Sequence, residues 1–383
     1  MASTAYRLTA FSPRPGCDPA ATLAAAGGQP GDPATFGTFQ VASCEVTASS
    51  GEALETILRE QAGDDPAWAW RASGQGGQHL RAVIMGAGLS ADSLASLTGE
   101  IHSHGQLVTG LRTLSEGFPA VELSLEGDAV PAAALTGQLQ AAAEAAAVDL
   151  AVLPADGRDW GLLMMDMDST LLAVECIDEI AEHAGVKAEV AAITERAMNG
   201  ELDFKGSLVE RVKMLAGLPE DVLAEVYHER ITTNPGAERL LEAAKGMGIR
   251  VAVVSGGFTF FTERLEADLG LDFTTANVLE VADSHLTGQV VGDIVDGAVK
   301  AATLRDLRDR LGLAKQQLIA MGDGANDLAM IAEAGLGVAY HAKPRVRAEA
   351  PYNLVNSSLD GLLYLLGLSD ADIEAYRDRA RTG

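Results

Sequence analysis

Positive charge and long apolar runs are both scarce in this sequence. Lysine and arginine number 28 against 54 aspartates and glutamates, which gives a formal net charge of −26 at pH 7. A surface of that sign repels phosphate backbones and anionic lipid, so we expect neither nucleic acid nor membrane as a partner. No apolar stretch reaches the roughly 18 residues of a transmembrane helix. The first fifteen residues also lack the basic segment and apolar core of a secretory signal.

Cysteine is rare as well. Cys17, Cys44 and Cys176 are an odd number, they form no Cys-x-x-Cys pair, and no histidine stands beside them in a zinc-binding pattern. We therefore expect reduced thiols and a cytoplasmic protein. With 48% apolar residues in 383, the chain can build ordinary cores in two or three domains.

The stretch 78–155 predicts a small α+β module. Its pattern reads strand 80–85, helix 90–104, strands 106–114 and 120–125, helix 132–147 and strand 149–153, which is the order of a ferredoxin-like βαββαβ module. Element order and the turn Gly86-Ala87-Gly88 resemble the ACT domain, a regulatory module that binds amino acids. That resemblance implies a homodimer with serine as a possible effector. A module used for dimerisation alone remains the alternative.

Residues 1–76 show the same order of strands and helices less clearly. Strands are predicted over 6–11 and 38–46 and a helix over 52–61, with a glycine- and proline-rich break at 27–33 and a linker at 73–78. We interpret this stretch as a possible degenerate second copy of the ACT-like module.

From residue 160 to 383 the pattern changes to that of a doubly wound α/β domain. A buried strand over 161–165 is followed by a mostly helical insertion at about 174–245, and then by short, regular strand and helix units up to 340. An insertion directly after the first strand of a parallel sheet predicts a cap over the crevice at the strand ends, which excludes water and selects substrate.

Two carboxylates, Asp166 and Asp168, come directly after the first strand of this domain, followed by Ser169 and Thr170. In an open parallel sheet, ligands bind beyond the carboxyl ends of the strands, so the pair suits catalysis. Alone, an Asp-x-Asp-x-Thr string is weak evidence, because about one unrelated chain in ten contains it, usually as a turn or helix cap.

Two further patterns suit phosphate. Ser255-Gly256-Gly257 follows the second strand, where small residues let the backbone approach an anion at a helix N-terminus. Lys300 lies at the start of a predicted helix. The helix dipole favours a positive side chain at the other end, so it does not explain a lysine here. Its ammonium would neutralise phosphate charge; a surface lysine is the plainer alternative.

The loop Gly322-Asp323-Gly324-Ala325-Asn326-Asp327 follows another buried strand. Oxygen-bearing side chains at a strand end suit a hard cation such as Mg²⁺. The alternating ligands and closing glutamate of an EF-hand are absent.

These four motifs, in this order and each at a strand or helix end, resemble those of the haloacid dehalogenase superfamily of phosphotransferases. Within it, the segments 175–179, 198–204 and 207–212 resemble the cap of phosphoserine phosphatases, and the resemblance covers about residues 160–367. It implies hydrolysis of O-phospho-L-serine to L-serine and phosphate, the last step of serine biosynthesis, with Mg²⁺ as cofactor.

The resemblance also implies roles for individual residues. Asp166 is the expected nucleophile and Asp168 the expected acid and base. The expected metal ligands are Asp166, Asp323, Asp327 and the backbone carbonyl of Asp168. Substrate contacts are expected from eight residues: Glu175, Met198, Phe204, Arg211, Ser255, Gly256, Lys300 and Asn326.

Some of these side chains have a structural alternative. Arg211 would otherwise pair along its own helix, for example with Ser207, and Met198 and Phe204 would otherwise be cap core. At the level of function, the alternatives are phosphoryl transfer to another alcohol such as homoserine, a phosphatase for another small phosphomonoester, and an amino-acid-responsive regulatory protein.

Overall fold

The computed structural model describes residues 4–14, 17–48, 54, 58, 67–72, 78–157, 159–198 and 203–382. The chain divides into two compact units. The first contains residues 1–157 together with 355–357 and 363–372, and the second contains residues 158–354, 358–362 and 373–383. Among the described residues, no helix combines the length and the apolar character needed to cross a membrane.

The first unit opens with a four-stranded antiparallel sheet in the order β2-β3-β1-β4. Strands β1 and β3 were predicted, whereas β2, β4 and the short helix α1 were missed. Asp18 caps α1 by accepting from two backbone amides, and a proline follows it at the first helical position. Leu54 and Leu58 are helical, but the rest of the predicted helix 52–61 and linker residues 73–77 lie outside the described residues. The elements are β1 (Thr4–Ser12), α1 (Pro19–Ala25), β2 (Ala34–Phe36), β3 (Phe39–Ala48) and β4 (Ala67–Ala72).

The second sheet of this unit has the order β6-β7-β5-β8 and is also antiparallel. All six predicted elements are confirmed, which gives the βαββαβ order. The two sheets therefore share one strand order. Ser90 begins the first helix with a reciprocal cap to Ser93. The elements are β5 (Gln78–Met85), α2 (Ala91–Ser103), β6 (Gln106–Ser115), β7 (Ala120–Gly127), α3 (Ala132–Ala145) and β8 (Asp149–Pro154).

Late residues of the chain complete the first unit through buried polar contacts. The carboxylate of Asp149 accepts from the amides of Val355 and Asn356 and from the hydroxyl of Ser357. Arg81, which is buried, pairs with Glu122 at 3.2 Å. Burying these charges is tolerable because each meets hydrogen-bonding partners.

The second unit is built on a seven-stranded sheet in the order β12-β11-β10-β9-β13-β14-β15. It is parallel except for β12, which pairs antiparallel with β11. This confirms the predicted doubly wound sheet. The central strand β9 is apolar and buried throughout, as expected for a parallel strand covered on both faces. The strands are β9 (Leu162–Met165), β10 (Arg250–Phe258), β11 (Phe273–Ala282), β12 (His285–Val291), β13 (Leu318–Gly322), β14 (Leu336–Tyr340) and β15 (Tyr352–Leu354).

Helices cover this sheet and also form the predicted insertion after β9. Four helices, α4 to α7, make up the insertion, and α8 leads into β10; residues 199–202 lie outside the described residues. The helices are α4 (Cys176–His183), α5 (Lys187–Met198), α6 (Phe204–Lys213), α7 (Asp221–Arg230), α8 (Ala237–Met247), α9 (Thr259–Leu269), α10 (Gly297–Leu311), α11 (Leu328–Glu333) and α12 (Pro344–Glu349). Two further helices, α13 (Gly361–Leu365) and α14 (Asp370–Thr382), contain residues of the segment 363–372, which belongs to the first unit.

Candidate active site

The site lies where three neighbouring strands end. Met165, the last residue of β9, is in register with Val253 of β10 on one side and with Met321 of β13 on the other. The residues that come after Met165, Val253 and Met321 therefore meet at one edge of the sheet. This geometry brings together the Asp166, Ser255 and Asp323 motifs, which are far apart in sequence.

Lys300 lies at the centre of the site, with no solvent exposure. Its Nζ is 2.7 Å from Oδ2 of Asp166 and 2.7 Å from Oδ1 of Asp327. Burial alone would lower the pKa of Lys300, but the two carboxylates outweigh it and hold that pKa above its usual value. Lys300 is therefore a fully charged, buried cation beside the first aspartate of the motif.

Three carboxylates form an acidic cluster at the same point. One oxygen from each of Asp166, Asp323 and Asp327 lies within 4.8 Å of the other two. Burial, with repulsion from Asp166 second, raises the pKa of Asp323 to about 8 and that of Asp327 to about 7. Thr170 donates a hydrogen bond to Oδ1 of Asp323 at 3.0 Å. Crowded, partly buried oxygens of this kind fit a hard divalent cation, whose charge would favour their ionised forms.

Asp168 faces a different set of partners. Its Oδ1 accepts from the amide of Cys176 at 2.9 Å, and its Oδ2 lies 3.4 Å from the hydroxyl of Ser255. Burial, followed by repulsion from Glu175, raises the pKa of Asp168 to about 7. Because proton transfer is most efficient when the pKa lies near the working pH, this carboxyl suits an acid and base.

The Ser255-Gly256-Gly257 segment is a bulge inside β10, where the register with β11 shifts. The strand continues to Phe258 and the predicted helix α9 begins at Thr259, so this segment directly precedes a helix N-terminus, as expected. The hydroxyl of Ser255 accepts from the amide of Gly257 at 2.8 Å. The bulge interrupts the ladder between Val254 and Phe258.

Buried Asn277 holds this bulge in place. Its amide nitrogen donates to the carbonyl of Gly256 at 2.8 Å, and its amide oxygen accepts from the amide of Val295 at 2.8 Å. Val295 lies just before α10, which carries Lys300. One side chain therefore ties the bulge to the segment that precedes the lysine helix.

The cap contributes Phe204 at the first residue of α6. A Cβ added to Gly256 would come 2.5 Å from the Phe204 ring, so only glycine allows this approach. The next residue, Lys205, pairs with Asp296 at 2.9 Å.

Met198 ends α5, and its side chain lies outside the described part of the chain. Asn326 is half-buried in the loop between Asp323 and Asp327.

Glu175 contacts the turn after β9, and Arg211 lies on the cap helix α6. Glu175 accepts from the hydroxyl of Ser169 at 2.6 Å. Burial raises the pKa of Glu175, and the hydrogen bond from Ser169, followed by the charge of Arg211, partly offsets that rise. Arg211 also donates to the carbonyl of Ser207 at 3.4 Å, one turn back on α6. The alternative contact within the helix is therefore present, while the substrate contact expected from the resemblance stays a prediction.

Sequence reasoning gave no role to four polar residues of this site: Ser169, Thr170, Asn234 and Asn277. Asn234 donates to the carbonyls of Thr170 and Leu172 and so fixes the turn after β9. Asn277 is the one buried residue of β11, whose other residues are half-buried or exposed, so its sequence context carried no clear signal. Asn234 carried none either, since its partners lie more than sixty positions away.

Comparison with known proteins agrees with this geometry. The family model described as "haloacid dehalogenase-like hydrolase" matches residues 163–332. A phosphoserine phosphatase from a Polaromonas species is 54% identical over 54% of this chain and 90% of its own length. A phosphoserine phosphatase from Streptomyces coelicolor is 44% identical over 76% of this chain and 72% of its own length.

The solved structure of a HAD family hydrolase from Salmonella enterica serovar Typhi superposes with a TM-score of 0.68 at 33% identity, covering 75% of this chain and 98% of that one. The match to the Streptomyces protein is longer than the part of this chain from Asp159 onward, so that likeness extends into the first unit. The chain therefore belongs to the haloacid dehalogenase-like hydrolases and, within them, to the phosphoserine phosphatase family.

Proposed function

We propose that this protein hydrolyses O-phospho-L-serine to L-serine and phosphate, the last step of serine biosynthesis, in the cytoplasm. The observation that carries the proposal is the pairing of Asp166 with buried Lys300 beside a second, protonatable aspartate. The relatives named above support the substrate. The three cysteines are all free, which agrees with a cytoplasmic location.

Asp166 is the nucleophile in this proposal. A carboxylate oxygen attacks phosphorus, the bond from phosphorus to the seryl oxygen breaks, and an aspartyl phosphate forms. Asp168, whose pKa is about 7, donates its proton to the leaving seryl oxygen. It then takes a proton from the water that attacks the aspartyl phosphate. The products are phosphate and free Asp166, with Asp168 protonated again.

The transferring phosphoryl group needs positive charge and hydrogen-bond donors. Lys300 supplies the charge from a buried position, where electrostatic stabilisation is stronger than in water. Ser255 and the backbone of Gly256 supply donors from the bulge, and Asn326 adds one from the neighbouring loop. Asp166, Asp323 and Asp327 would hold Mg²⁺, with the carbonyl of Asp168 as a further ligand, and the ion would neutralise charge on the phosphoryl oxygens.

Substrate choice comes from the cap. Phosphoserine carries an ammonium and a carboxylate, and the cap side offers Glu175 for the first and Arg211 for the second. Phe204 closes over Gly256, and Met198 is proposed to close the same face. A substrate without either charged group would lose these contacts while keeping those to its phosphate.

The test is phosphate release from O-phospho-L-serine by the intact chain, with Mg²⁺ and with EDTA. We expect release to depend on Mg²⁺ and to fall at least about 10³-fold in Asp166→Asn. Asp293→Asn is the matched control, because Asp293 is an exposed aspartate outside the acidic cluster. Release that persists in EDTA or in Asp166→Asn would refute the proposal.

Two parallel reactions distinguish the alternatives. Phosphothreonine tests whether the cap accepts another small phosphomonoester, and homoserine added with phosphoserine tests for phosphoryl transfer. We expect phosphoserine to be strongly preferred and no phosphohomoserine to form. A purely regulatory protein would release phosphate from none of these substrates.

We further propose that residues 1–76 and 78–155 are two ACT-like modules, that 160–383 is the catalytic domain, and that the chain is a homodimer. The shared strand order of the two antiparallel sheets supports the modules. An amino acid, with serine as the first candidate, would be the effector. Equilibrium sedimentation tests the dimer, and a monomer at micromolar concentration would refute it.

Serine is also the expected product, so its binding to the modules must be separated from binding at the active site. Calorimetric titration of serine into the Arg211→Ala variant does this, because that change removes the proposed carboxylate contact of the active site. Binding that remains in the variant supports an effector site. Binding that disappears with Arg211 refutes it.

A further inference from the structure

Ser169 has a backbone conformation that is unusual for its side chain. Its φ is +56°, in the left-handed region that favours glycine. The residue lies in the turn after β9, between Asp168 and Thr170, and its amide donates to the carbonyl of Val174 at 3.2 Å. A glycine would take this conformation without strain. Strained backbone conformations persist only where the surrounding structure holds them, and they cluster at active sites and ligand clamps.

The hydroxyl of Ser169 has a defined partner. It donates to Oε1 of Glu175 at 2.6 Å. Glu175 occupies the position that precedes α4, yet its side chain makes no capping hydrogen bond. The first free amide of that helix, at Cys176, is taken by Asp168 instead. The Glu175 carboxylate is therefore turned away from its own helix and held by the serine.

We propose that Ser169 is a positioning residue for substrate selection. It fixes the Glu175 carboxylate by one oxygen, so that the other is aimed at the ammonium group of the substrate. Because the hydroxyl of Ser169 is neutral, it does not cancel the negative charge of Glu175. That charge stays available to attract the ammonium group of the substrate. The inference rests on the proposed function, since it concerns the ammonium-binding half of the same site.

Two substitutions separate the hydroxyl from the backbone strain. Ser169→Gly removes both, and Ser169→Ala removes the hydroxyl alone. Glycine adopts positive φ readily, so the glycine variant should fold and melt no lower than the parent. We expect KM for O-phospho-L-serine to rise in both variants. The ratio of kcat/KM for phosphoserine to kcat/KM for p-nitrophenyl phosphate, which has no ammonium, should fall about tenfold.

A double-mutant cycle with Glu175→Ala tests whether Ser169 acts through Glu175. We expect Ser169→Gly to change the selectivity ratio in the parent but to have no further effect once Glu175 is removed. A merely structural role would lower activity towards both substrates in parallel and would persist in the Glu175→Ala background.

Each failure has a distinct signature. Parallel loss on both substrates, an unchanged ratio, or additive effects in the cycle would overturn the role of Ser169 while leaving the phosphoserine phosphatase proposal standing. A parent enzyme that hydrolyses p-nitrophenyl phosphate but not phosphoserine would overturn both.

Discussion

Nζ of Lys300 lies 2.7 Å from Oδ2 of Asp166, and both side chains are buried. The proposed nucleophile thus has its counter-charge in place before substrate binds. A buried ion pair of this kind is a weak source of stability, because desolvation offsets much of the attraction. We infer that the pair is kept for its chemistry, where a fixed cation stabilises charge as the phosphoryl group transfers.

Replacing the lysine should therefore affect both rate and stability. In Lys300→Met we expect kcat to fall about 10²–10³-fold, since a preorganised charge is lost. The free energy of unfolding should fall by about 3 kcal/mol, because Asp166 and Asp327 lose their buried partner. Steady-state kinetics and denaturant titration measure the two effects. Lys315→Met is the control, since Lys315 is exposed and lies outside the site; a kcat within threefold of the parent in Lys300→Met would contradict the assignment.

Divalent cation should stabilise the folded protein through the acidic cluster. At a free Mg²⁺ concentration a hundredfold above Kd, we expect about 2.7 kcal/mol of added stability, seen as a rise in Tm. Asp323→Asn should remove most of this shift by taking away one ligand charge. Asp293→Asn, which changes an exposed aspartate, should keep it. Equal shifts in the two variants would mean that the cation binds elsewhere.

Asn277 should matter for both phosphate binding and folding. In Asn277→Leu, the carbonyl of Gly256 and the amide of Val295 lose their buried partner, at a cost of about 2–4 kcal/mol of unfolding free energy. Asn277→Asp keeps the acceptor for Val295 but loses the donor to Gly256. If the contact to Gly256 positions the bulge, the Asp variant should also raise KM for phosphoserine. An unchanged KM in a folded Asp variant would limit Asn277 to a structural role.

Asp149 should be required for the stability of the first unit. Its carboxylate accepts from the amides of Val355 and Asn356 and from the hydroxyl of Ser357. Asp149→Ala removes the acceptor that these donors share, and we expect a loss of about 3 kcal/mol by chemical denaturation of the full chain. Asp149→Asn keeps one acceptor oxygen and should lose less. Equal stability of the Ala variant and the parent would show that water replaces the carboxylate at no cost.

His102 should make the first unit sensitive to acid. Burial lowers the pKa of His102 to about 4, and its Nε2 accepts from the amide of Val108 at 3.2 Å, which requires the neutral ring. In the unfolded chain the pKa is about 6.5, so the unfolded state binds the proton first as the pH falls. Stability is therefore lost between about pH 6.5 and 4, by up to about 3 kcal/mol.

The measurement is the unfolding free energy at pH 7 and pH 4.5 for the parent, His102→Gln and His104→Gln. Other groups titrate in the same range, so the difference between variants carries the information. His102→Gln should lose less stability on acidification than the other two proteins. Identical acid sensitivity in all three would refute the role of His102.

Much of the second unit followed from the sequence alone. Short apolar strands, each followed by small or acidic residues, gave the parallel sheet and placed Asp166, Ser255 and Asp323 at strand ends. These signals are local, because a buried strand and the turn after it are formed by residues that are neighbours in the sequence. The first sheet was predicted less completely: β2 and α1 are short, and β4 was missed although its alternating alanines and tryptophans have the period of a strand.

Tertiary structure alone decided how those residues meet. The register of β9 with β10 and β13 brings three distant motifs to one edge, and only then does Lys300 face Asp166. The hydroxyl of Ser169, the amide of Asn277 and the carboxylate of Asp149 gained their roles in the same way. Each is an ordinary polar residue in sequence, and its function is set by a partner that folding brings to it and by the burial that makes the hydrogen bond matter.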